Sequence, residues 1–284
     1  MIRRRSTQIL VLLTAILLAS SGWTSVGAQE EETGWKNVAE LTLVVTGGNA
    51  TSNTLGFRST SDYRWPDAAF QFTAGALRAR SGRVVRTATG TPQDFQISET
   101  TETRTTAESY FVRGRFDRNL SEAAFVFAGA GWERNTFAGF DNRYAFVSGA
   151  GRSWFDEDTR RFKTDLGLTY TVQDDVVDNP DADDSFLGAR GSYDYFRRLT
   201  ETTDFTSVLV ADQNLEETED FRADWTNSVA VAMSERLALK TSIQLLYDKS
   251  PALVAVPLEG TDAEVLVPLK EVDTVFTVAV VVSF

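Results

Sequence analysis

Apolar and polar residues alternate along most of the chain from Trp35 onward, and a period of two predicts β-strands. The clearest example is the segment 53–65. One of its faces carries Leu55, Phe57, Tyr63 and Trp65, and the other carries Thr54, Arg58, Asp62 and Arg64. The same alternation recurs in 221–233, 237–247 and 272–284, so the chain is predicted to be an all-β protein.

Weaker alternation extends the prediction to about twelve strands. The remaining segments are 36–45, 68–80, 103–117, 122–134, 144–155, 161–171, 186–198 and 203–213. In 123–134 and 144–155 both faces are apolar, so the pattern leaves their orientation open. Most segments are longer than the five or six residues typical of soluble sheets. They match the roughly 9–11 residues that a tilted strand needs to cross a bilayer.

The connections between these segments alternate in length. Short turns are predicted at 66–67, 119–121, 156–160, 199–202 and 234–236, and longer connections at 46–52, 81–101, 135–142, 172–185, 214–220 and 250–271. This alternation is typical of transmembrane antiparallel up-and-down β-barrels, with short periplasmic turns and long outer loops. A soluble β-sandwich or lipocalin-like barrel is the alternative. Aromatic residues near strand ends favour the membrane barrel, as in interfacial girdles: Trp65, Trp132, Trp154, Tyr195 and Tyr247.

The first residues have the composition of a secretory signal peptide. Three arginines at 3–5 precede an apolar run at 9–18, and small residues lead to Ala28. An uncleaved membrane anchor is the alternative, but the run is shorter than the roughly 20 residues that span a bilayer. We therefore expect residues 1–28 to be removed and residues 29–284 to form a single barrel domain in the outer membrane of a Gram-negative-type bacterium.

Composition excludes several functional classes. The chain has 28 Lys and Arg against 40 Asp and Glu, a formal charge of -12, with no Cys and no His. The acidic balance argues against nucleic-acid binding, which requires basic residues at phosphates. Without His or Cys there is no disulfide, no usual zinc site and no Ser-His or Cys-His nucleophile pair. We expect no cofactor and no enzymatic activity, with a His-independent outer-membrane enzyme as a weak third hypothesis.

The polar strand faces supply the candidate functional residues, which we expect to line the lumen. They are Arg58, Asp62, Arg64, Arg113, Arg115, Lys163, Asp165, Arg190, Asp194, Arg222, Asp224, Lys240 and Gln244. Charges in a closed interior must be paired or hydrated. In an open barrel these side chains would line an aqueous path and set ion preference. In a closed barrel they would form a paired network that fills the lumen. The sequence leaves both alternatives open.

Two of the predicted outer loops are unusual. The first holds Asp174, Asp175, Asp178, Asp181, Asp183 and Asp184, which are weak candidates for Ca²⁺ or Mg²⁺ binding. A solvated acidic loop is the favoured interpretation, so no metal site is predicted. The second loop, 250–271, is apolar and would be costly in water. It is expected to fold over the barrel mouth or to form a hairpin that continues the adjoining strands, and a partner-binding patch is a weaker possibility.

The chain ends on an alternating strand in which Phe276 and Phe284 share a face. A terminal Phe in this setting resembles the signal by which the barrel-assembly machinery recognises outer-membrane barrels. The chain as a whole resembles a domain-of-unknown-function family of salt-induced outer-membrane proteins. The resemblance rests on the segments Trp35-x5-Leu41, Thr46–Thr51, Leu55, Tyr63-x-Trp65, Tyr144-x4-Gly149-x-Gly151-Arg152, Asp165-Leu166-Gly167-x-x-Tyr170 and Val267-Pro268-Leu269-Lys270-x-x-Asp273.

That resemblance implies an outer-membrane location but no known activity, substrate or site residues. Two functions remain open. The first is a small or gated passive pore linked to osmotic or salt stress, which the polar strand faces support. The second is a non-conducting structural or adhesion barrel, which the balance of lumen charges supports. The expected partners are outer-membrane lipids and, during biogenesis, the assembly machinery.

Overall fold

Period-two alternation produces strands throughout the computed structural model, which describes residues 33–46, 50–91, 94–177, 183–257 and 263–284. The predicted signal peptide, residues 1–28, lies outside these ranges. The strands are β1 (Gly34–Thr46), β2 (Ala50–Arg64), β3 (Ala68–Thr91), β4 (Asp94–Asn119), β5 (Ala124–Asn135), β6 (Phe140–Glu157), β7 (Arg160–Asp175), β8 (Ser185–Thr200), β9 (Thr203–Asn214), β10 (Phe221–Ala232), β11 (Leu237–Asp248), β12 (Leu253–Pro257), β13 (Glu264–Pro268) and β14 (Val272–Ser283). Within the described ranges, no helix is long and apolar enough to cross a membrane.

Twelve strands form one closed antiparallel barrel, in which each strand pairs with its neighbours in sequence and β14 pairs with both β11 and β1. The predicted all-β, twelve-stranded antiparallel barrel is therefore confirmed. The barrel closes on a short seam, because β1 and β14 share only four register pairs, from Val38↔Ser283 to Leu41↔Val280. By contrast, β1 pairs with β2 along its whole length, from Gly34↔Arg64 to Thr46↔Ser52.

The predicted loop 81–101 was wrong. Strands β3 and β4 continue through it and stay paired with each other up to Thr91↔Asp94. The register shifts once, between Ala79 and Arg80, and the paired strands then project past β2 and β5 as a hairpin. The segment is rich in Thr and nearly uncharged overall, which suggested a loop, but Val and Thr also have a high β-propensity and suit a two-stranded sheet.

Two other predicted connections are partly strand in the structure. The connection predicted at 46–52 is shorter, since β1 ends at Thr46 and β2 begins at Ala50. The apolar segment 250–271 forms a separate two-stranded sheet, β12 and β13, paired from Leu253↔Pro268 to Pro257↔Glu264. The hairpin continues β11 and β14 after a short break: backbone bonds join Asp248 to Glu271, next to the last barrel pair, and Ala252 to Leu269, next to the first hairpin pair. The predicted alternative of a hairpin that continues the adjoining strands is therefore confirmed.

The two faces of the barrel wall have opposite character. Large apolar side chains point outward and are exposed, among them Leu166, Leu168, Phe146, Phe276 and Val278. The opposite parity points inward and holds the buried polar and charged residues, among them Asp165, Thr169, Asp224 and Gln244. An apolar surface therefore surrounds a mostly polar interior.

Candidate functional site in the barrel lumen

A cavity of about 320 Å³ runs along the lumen between the two ends of the barrel. At the end with the short turns it is lined by Ala69 and Asp117, which lie close to the β2–β3 and β4–β5 turns. At the opposite end it is lined by Pro251, Leu269 and Glu271, in the connections around β12 and β13. One continuous space thus extends over nearly the full height of the wall.

The cavity exists because the inward residues of one part of the wall are small. Gly129 and Gly131 of β5, Ala145 of β6 and Thr169 of β7 all line it. Side chains fill the interior of barrels with about eight strands, and larger barrels keep free space. We call the inner side of β4–β10 the open sector.

Arginine and carboxylate side chains on neighbouring strands pair across the open sector. Glu133 of β5 accepts from Arg113 of β4 at 2.8 Å and from Arg143 of β6 at 3.2 Å. Deeper in the cavity, Arg115 contacts Asp165 at 2.9 Å, and the Ser192 hydroxyl donates to the same carboxylate at 2.7 Å. Buried charges persist when their partners satisfy them in this way.

The wall formed by β9, β10 and β11 carries further ion pairs. Arg190 of β8 makes a bidentate contact with Asp212, at 2.7 and 3.0 Å. Near the long-loop end, Arg222 lies 3.0 Å from Asp220 and 3.7 Å from Asp248. The Arg222 guanidinium therefore contacts two carboxylates, so these three side chains together have a formal charge of one negative unit.

The formal charges around the cavity are unevenly distributed. Ten acidic and seven basic side chains line it. From β9 to the end of the chain the lining contains six acidic residues, Asp212, Asp220, Asp224, Asp248, Glu271 and Asp273, and two basic residues, Arg222 and Lys270. The rest of the lining has four acidic and five basic residues. The whole acidic excess therefore lies on one side, which we call the acidic wall.

Aromatic rings inside the lumen lie against the guanidinium groups. The guanidinium carbon of Arg115 is 4.0 Å from the ring centre of Phe127, and that of Arg143 is 3.8 Å from the ring centre of Phe140. Such stacking is favourable and holds the planar group in one orientation. It also explains how inward phenylalanines coexist with a charged lumen.

The inner side of β14, β1 and β2, with the adjoining parts of β3 and β11, contains little free space, and we call it the filled sector; the Phe111 ring reaches into it from β4. The Phe111 ring lies directly over Gly75, where any Cβ atom would overlap it. An apolar cluster of Leu77, Ala79, Ala107, Leu246 and Val275 lies beside it. Lys240 and Glu40 of this sector form a close pair at 2.9 Å. At its border with the acidic wall, Gln244 donates to both oxygens of Asp224 at 2.9 Å.

Both ends of the lumen are narrowed. At the long-loop end the β5–β6 turn contacts the β11–β12 connection. Gly139 lies so close to Ala252 that a Cβ at Gly139 would overlap the Ala252 side chain, and its φ of 93° is also one that favours glycine. Ala138 of the same turn packs against the apolar cluster. At the short-turn end Phe196 is fully buried, with the Arg161 guanidinium 4.1 Å from its ring centre.

The structure places the sequence-predicted lumen residues in two groups. Arg113, Arg115, Lys163, Asp165, Arg190, Asp194, Arg222 and Asp224 line the cavity. Arg58, Asp62, Arg64, Lys240 and Gln244 do not line it; Arg58 and Gln244 are buried, and Asp62 accepts from Gln71 at 2.7 Å. Sequence reasoning missed Glu40, Glu133, Arg143 and Asp212, whose partners lie on other strands and follow only from the register. It also missed Asp220, although its partner Arg222 is only two positions away and the spacing could have indicated the pair.

The remaining predicted residues lie outside the lumen or outside the described chain. Phe276 and Phe284 are exposed on the outer surface. Of the acidic-loop candidates, Asp178 and Asp181 fall outside the described residues. No group of three or more potential metal ligands occurs in the described parts of the chain, which include Asp174, Asp175, Asp183 and Asp184.

Comparison with known proteins gives a family, a relative and several structures. A family model described as "Protein of unknown function, DUF481" matches residues 39–284. The uncharacterized protein YdiY of Escherichia coli (strain K12) is 25% identical over 148 residues, covering 51% of this chain and 55% of YdiY. The chain therefore matches about half the length of this curated relative.

Two of the similar solved structures are barrels of low sequence identity. The translocator domain of autotransporter NalP from Neisseria meningitidis is 11% identical, with a TM-score of 0.46 over 89% of each chain. The COG4313 outer membrane channel from Pseudomonas putida F1 is 11% identical, with a TM-score of 0.45 over 93% of this chain and 100% of the channel.

Proposed function

The chain belongs to this DUF481 family of unknown function, and we propose that it is a passive pore of the bacterial outer membrane that prefers cations. The proposal rests on the continuous lumen cavity. Residues near both ends of the barrel line this cavity, and charged side chains line it between the two ends. Apart from the short β1–β14 seam, the closed barrel pairs its strands edge to edge, as crossing a membrane requires.

The outer surface supports the membrane placement. Leu166 and Leu168 on β7 and Phe276 on β14 are more than half exposed, which would be costly in water. Near the short-turn end, aromatic side chains form a continuous contact in which the ring centres of Trp35 and Tyr63 are 5.0 Å apart, and those of Tyr63 and Trp65 are 4.4 Å apart. Aromatic belts of this kind are typical of membrane interfaces.

The lumen charges support conduction by ions rather than passage of apolar solutes. Pairs of carboxylate and guanidinium groups lie along the cavity, where they can interact with ions that pass through it, as charged rings do in channels. The acidic wall, and above all Asp248 and Glu271 at the long-loop end, would raise the local concentration of cations over anions. We therefore propose small cations as the preferred permeant solutes.

The test is single-channel conductance of residues 29–284, refolded into a planar bilayer with a potassium chloride gradient. We expect discrete conductance steps and a reversal potential of the sign given by cation preference. A barrel that is folded, as judged by its altered gel mobility before boiling, but silent at all voltages would contradict the pore and support a structural or adhesion barrel. An anion-selective reversal potential would contradict the cation preference alone.

A matched pair of variants locates the selectivity. Asp248→Asn with Glu271→Gln removes two charges from the long-loop end of the cavity, and we expect the cation preference to fall towards equal permeability. Glu157→Gln with Asp158→Asn removes two charges at the β6–β7 turn, outside the cavity lining, and should leave selectivity close to that of the parent. Equal effects of the two variants would exclude the acidic wall as the origin.

Several expectations from the sequence remain predictions. The link to osmotic or salt stress rests on the family resemblance alone. Export through the periplasm, recognition by the barrel-assembly machinery and the absence of enzymatic activity and of nucleic-acid binding also stay predictions. Loss of outer-membrane insertion on replacing Phe284 would support the assembly signal.

A further inference from the structure

The β5–β6 turn, residues 136–139, is folded into the lumen opening at the long-loop end of the barrel. Asn135 and Phe140 flank it as the last register pair of β5 and β6, and each is only 2% exposed. At the opposite end, residues 119–122 of the β4–β5 turn are all exposed. Turns at a rim normally face water, so the buried flanks indicate that the β5–β6 turn lies across the opening.

This turn reaches the opposite wall. A Cβ at Gly139 would overlap the Ala252 side chain and would lie 3.4 Å from Leu269. Around the barrel, the β5–β6 pair and the β11–β14 pair are separated by β7 to β10 on one side and by β1 to β4 on the other. The contact therefore follows a diameter of the barrel. We call residues 136–139 and 249–252 together the arch.

The half of the opening towards β1–β4 is closed beneath the arch. Ala138 packs there against the apolar cluster, which consists of Leu77, Ala79, Ala107, Leu246 and Val275. Within the described ranges, no residue of β1 or β2 lines the cavity. The cavity lining at this end includes Phe140 and Pro251 beside the arch and Arg222 on β10. The path out of the lumen therefore passes the arch on the side of β7–β10.

A polar contact crosses this remaining half. The side-chain oxygen of Gln173, near the end of β7, accepts from the Arg143 guanidinium of β6 at 2.7 Å and from the Arg222 guanidinium of β10 at 3.4 Å. Because β8 and β9 lie between β7 and β10 in the wall, the contact with Arg222 spans the lumen. The opening at the long-loop end is thus crossed twice, once by the arch and once by this contact.

The two ends of the β5–β6 turn are held by different chemistry. Its base is hydrogen-bonded: the Gly139 carbonyl accepts from the Val176 amide at 2.9 Å, and the Asn135 side chain accepts from the Ala138 amide at 3.0 Å. Its contacts with the opposite wall are apolar, through Ala138 and Gly139. Separating the turn from that wall therefore widens the opening without breaking the hydrogen bonds of the hairpin.

We propose that the arch sets the size limit of the pore, so that inorganic ions and solutes as small as glycerol pass and hexoses do not. This inference rests on the pore function proposed above and names the class of solutes that can use it. A solute must pass between the arch and the contact of Gln173 with Arg222, and pore width is a main determinant of selectivity. Elsewhere the lumen is wider, because Gly129, Gly131 and Ala145 line it.

The test measures the swelling of vesicles that contain the refolded chain in glycerol, glucose and raffinose, together with the single-channel conductance. The parent is expected to admit glycerol and to exclude glucose and raffinose. Gly139→Ala places a methyl group where the Ala252 side chain lies, so the arch has to separate from the opposite wall. We expect this variant to admit glucose and to conduct about twofold better than the parent, because its opening is wider.

Two variants control for effects other than the contact. Gly34 also has a positive φ, of 147°, but within the described chain no atom lies within 4 Å of an added Cβ. Gly34→Ala therefore introduces backbone strain without an overlap and should behave like the parent. Adding Ala252→Gly to Gly139→Ala removes the overlapping methyl group and leaves Leu269 at 3.4 Å, so it should restore the exclusion of glucose.

If Gly139→Ala does not refold, Gln173→Ala tests the other edge of the same opening. This change truncates the polar contact without backbone strain and should also admit glucose. Gln96→Ala, at an exposed position of the β3–β4 hairpin, is its control and should not admit glucose.

The outcomes separate this inference from the proposed function. A conducting parent that admits glucose would overturn the size limit and leave the pore intact. Unchanged glucose exclusion in Gly139→Ala and Gln173→Ala, or equal gains in Gly139→Ala and Gly34→Ala, would also overturn it. A silent parent with a conducting Gly139→Ala would support the arch as the obstruction. Silence of the parent and of every variant in folded barrels would instead contradict the pore itself.

Discussion

The open and filled sectors of the lumen share one inward-outward pattern but differ in the volume of their inward side chains. In the open sector Gly129, Gly131 and Ala145 face inward and leave the cavity. In the filled sector Phe111 covers Gly75, and Leu77 lies over Gly56. The alternation that builds a barrel therefore does not decide whether the barrel conducts, because that depends on the sizes of a few inward residues.

The two sectors also stabilise charge differently. In the filled sector Lys240 and Glu40 form a close pair with little access to water. In the open sector the arginines lie along the cavity, where Arg115 and Arg222 each contact two carboxylates. Water can solvate the remaining charge in the open sector, whereas the filled sector depends on complete pairing.

The largest effect is expected from emptying the filled sector. Phe111→Ala removes a fully buried ring, and such truncations cost about 3–5 kcal/mol of folding free energy. The midpoint of denaturant unfolding in vesicles should fall, and the conductance should rise because the new space adjoins the cavity. Phe276→Ala, on the exposed outer surface, is the control and should leave the conductance unchanged. An unchanged conductance in Phe111→Ala would show that the sectors are separated.

The opposite substitution should close the open sector. A Cβ at Gly131 would lie 3.1 Å from the flexible Arg113 side chain, so Gly131→Leu can be accommodated but occupies cavity space. We expect the single-channel conductance to fall to roughly half, since side chains fill small barrels readily. Gly114→Leu on β4 is the matched control. A Cβ there points outward, 3.7 Å from Phe70, and equal losses in both variants would contradict the lumen as the path.

A smaller effect is expected from unpairing a lumen charge. Arg115→Ala leaves the Asp165 carboxylate, which is 8% exposed, with the Ser192 hydroxyl alone. Burying an unsatisfied polar group costs about 1–3 kcal/mol, and the unfolding midpoint should fall accordingly. Adding Asp165→Asn to Arg115→Ala should recover part of the loss. If the loss of unfolding free energy in the double variant equals the sum of the losses in Arg115→Ala and Asp165→Asn, the two side chains do not interact.

The smallest effect is expected from removing an arginine–carboxylate ion pair that lies outside the lumen. Arg160 and Glu157 are 3.2 Å apart at the β6–β7 turn, and both side chains are more than 40% exposed. Arg160→Ala should change the free energy of unfolding by less than about 0.5 kcal/mol, because exposed ion pairs contribute little. Unfolding curves of this variant and of Arg115→Ala, recorded together, measure how much the lumen strengthens an ion pair. A larger loss of unfolding free energy in Arg160→Ala than in Arg115→Ala would contradict the expectation that the lumen strengthens an ion pair.

The sequence predicted the barrel because strand length, alternation and turn positions all follow from local chemistry. It failed where local chemistry is ambiguous. The extension of β3 and β4 through 81–101 is held by cross-strand pairing, which composition does not reveal. The inward Phe125 and Phe127 made β5 look apolar on both faces; their rings lie against the Arg115 guanidinium from β4 and over Gly151 and Gly167, contacts that only the register reveals.

The lumen residues were predictable as a class but not as a network. Parity alone placed Asp165 and Arg222 among the candidates. It gave no partner for Asp165, which pairs with Arg115 fifty positions away. Arg222 contacts Asp248 on the adjacent strand as well as Asp220 two positions earlier, and only the second contact is local in sequence. The division into open and filled sectors needs the packing of Phe111 and Leu77 over glycines, which depends on register across strands.

The contrast between the β3–β4 ladder and the β1–β14 seam has a kinetic consequence. The strands β3 and β4 follow each other in sequence and pair from Ala68↔Arg118 to Thr91↔Asp94, so their contacts form at a low entropic cost. The four pairs of the seam join the two ends of the barrel domain and bring little hydrogen bonding in return. We therefore expect the ladder to form early and ring closure to be the slow, last step of folding. Lengthening the seam pairing should accelerate closure without altering the ladder.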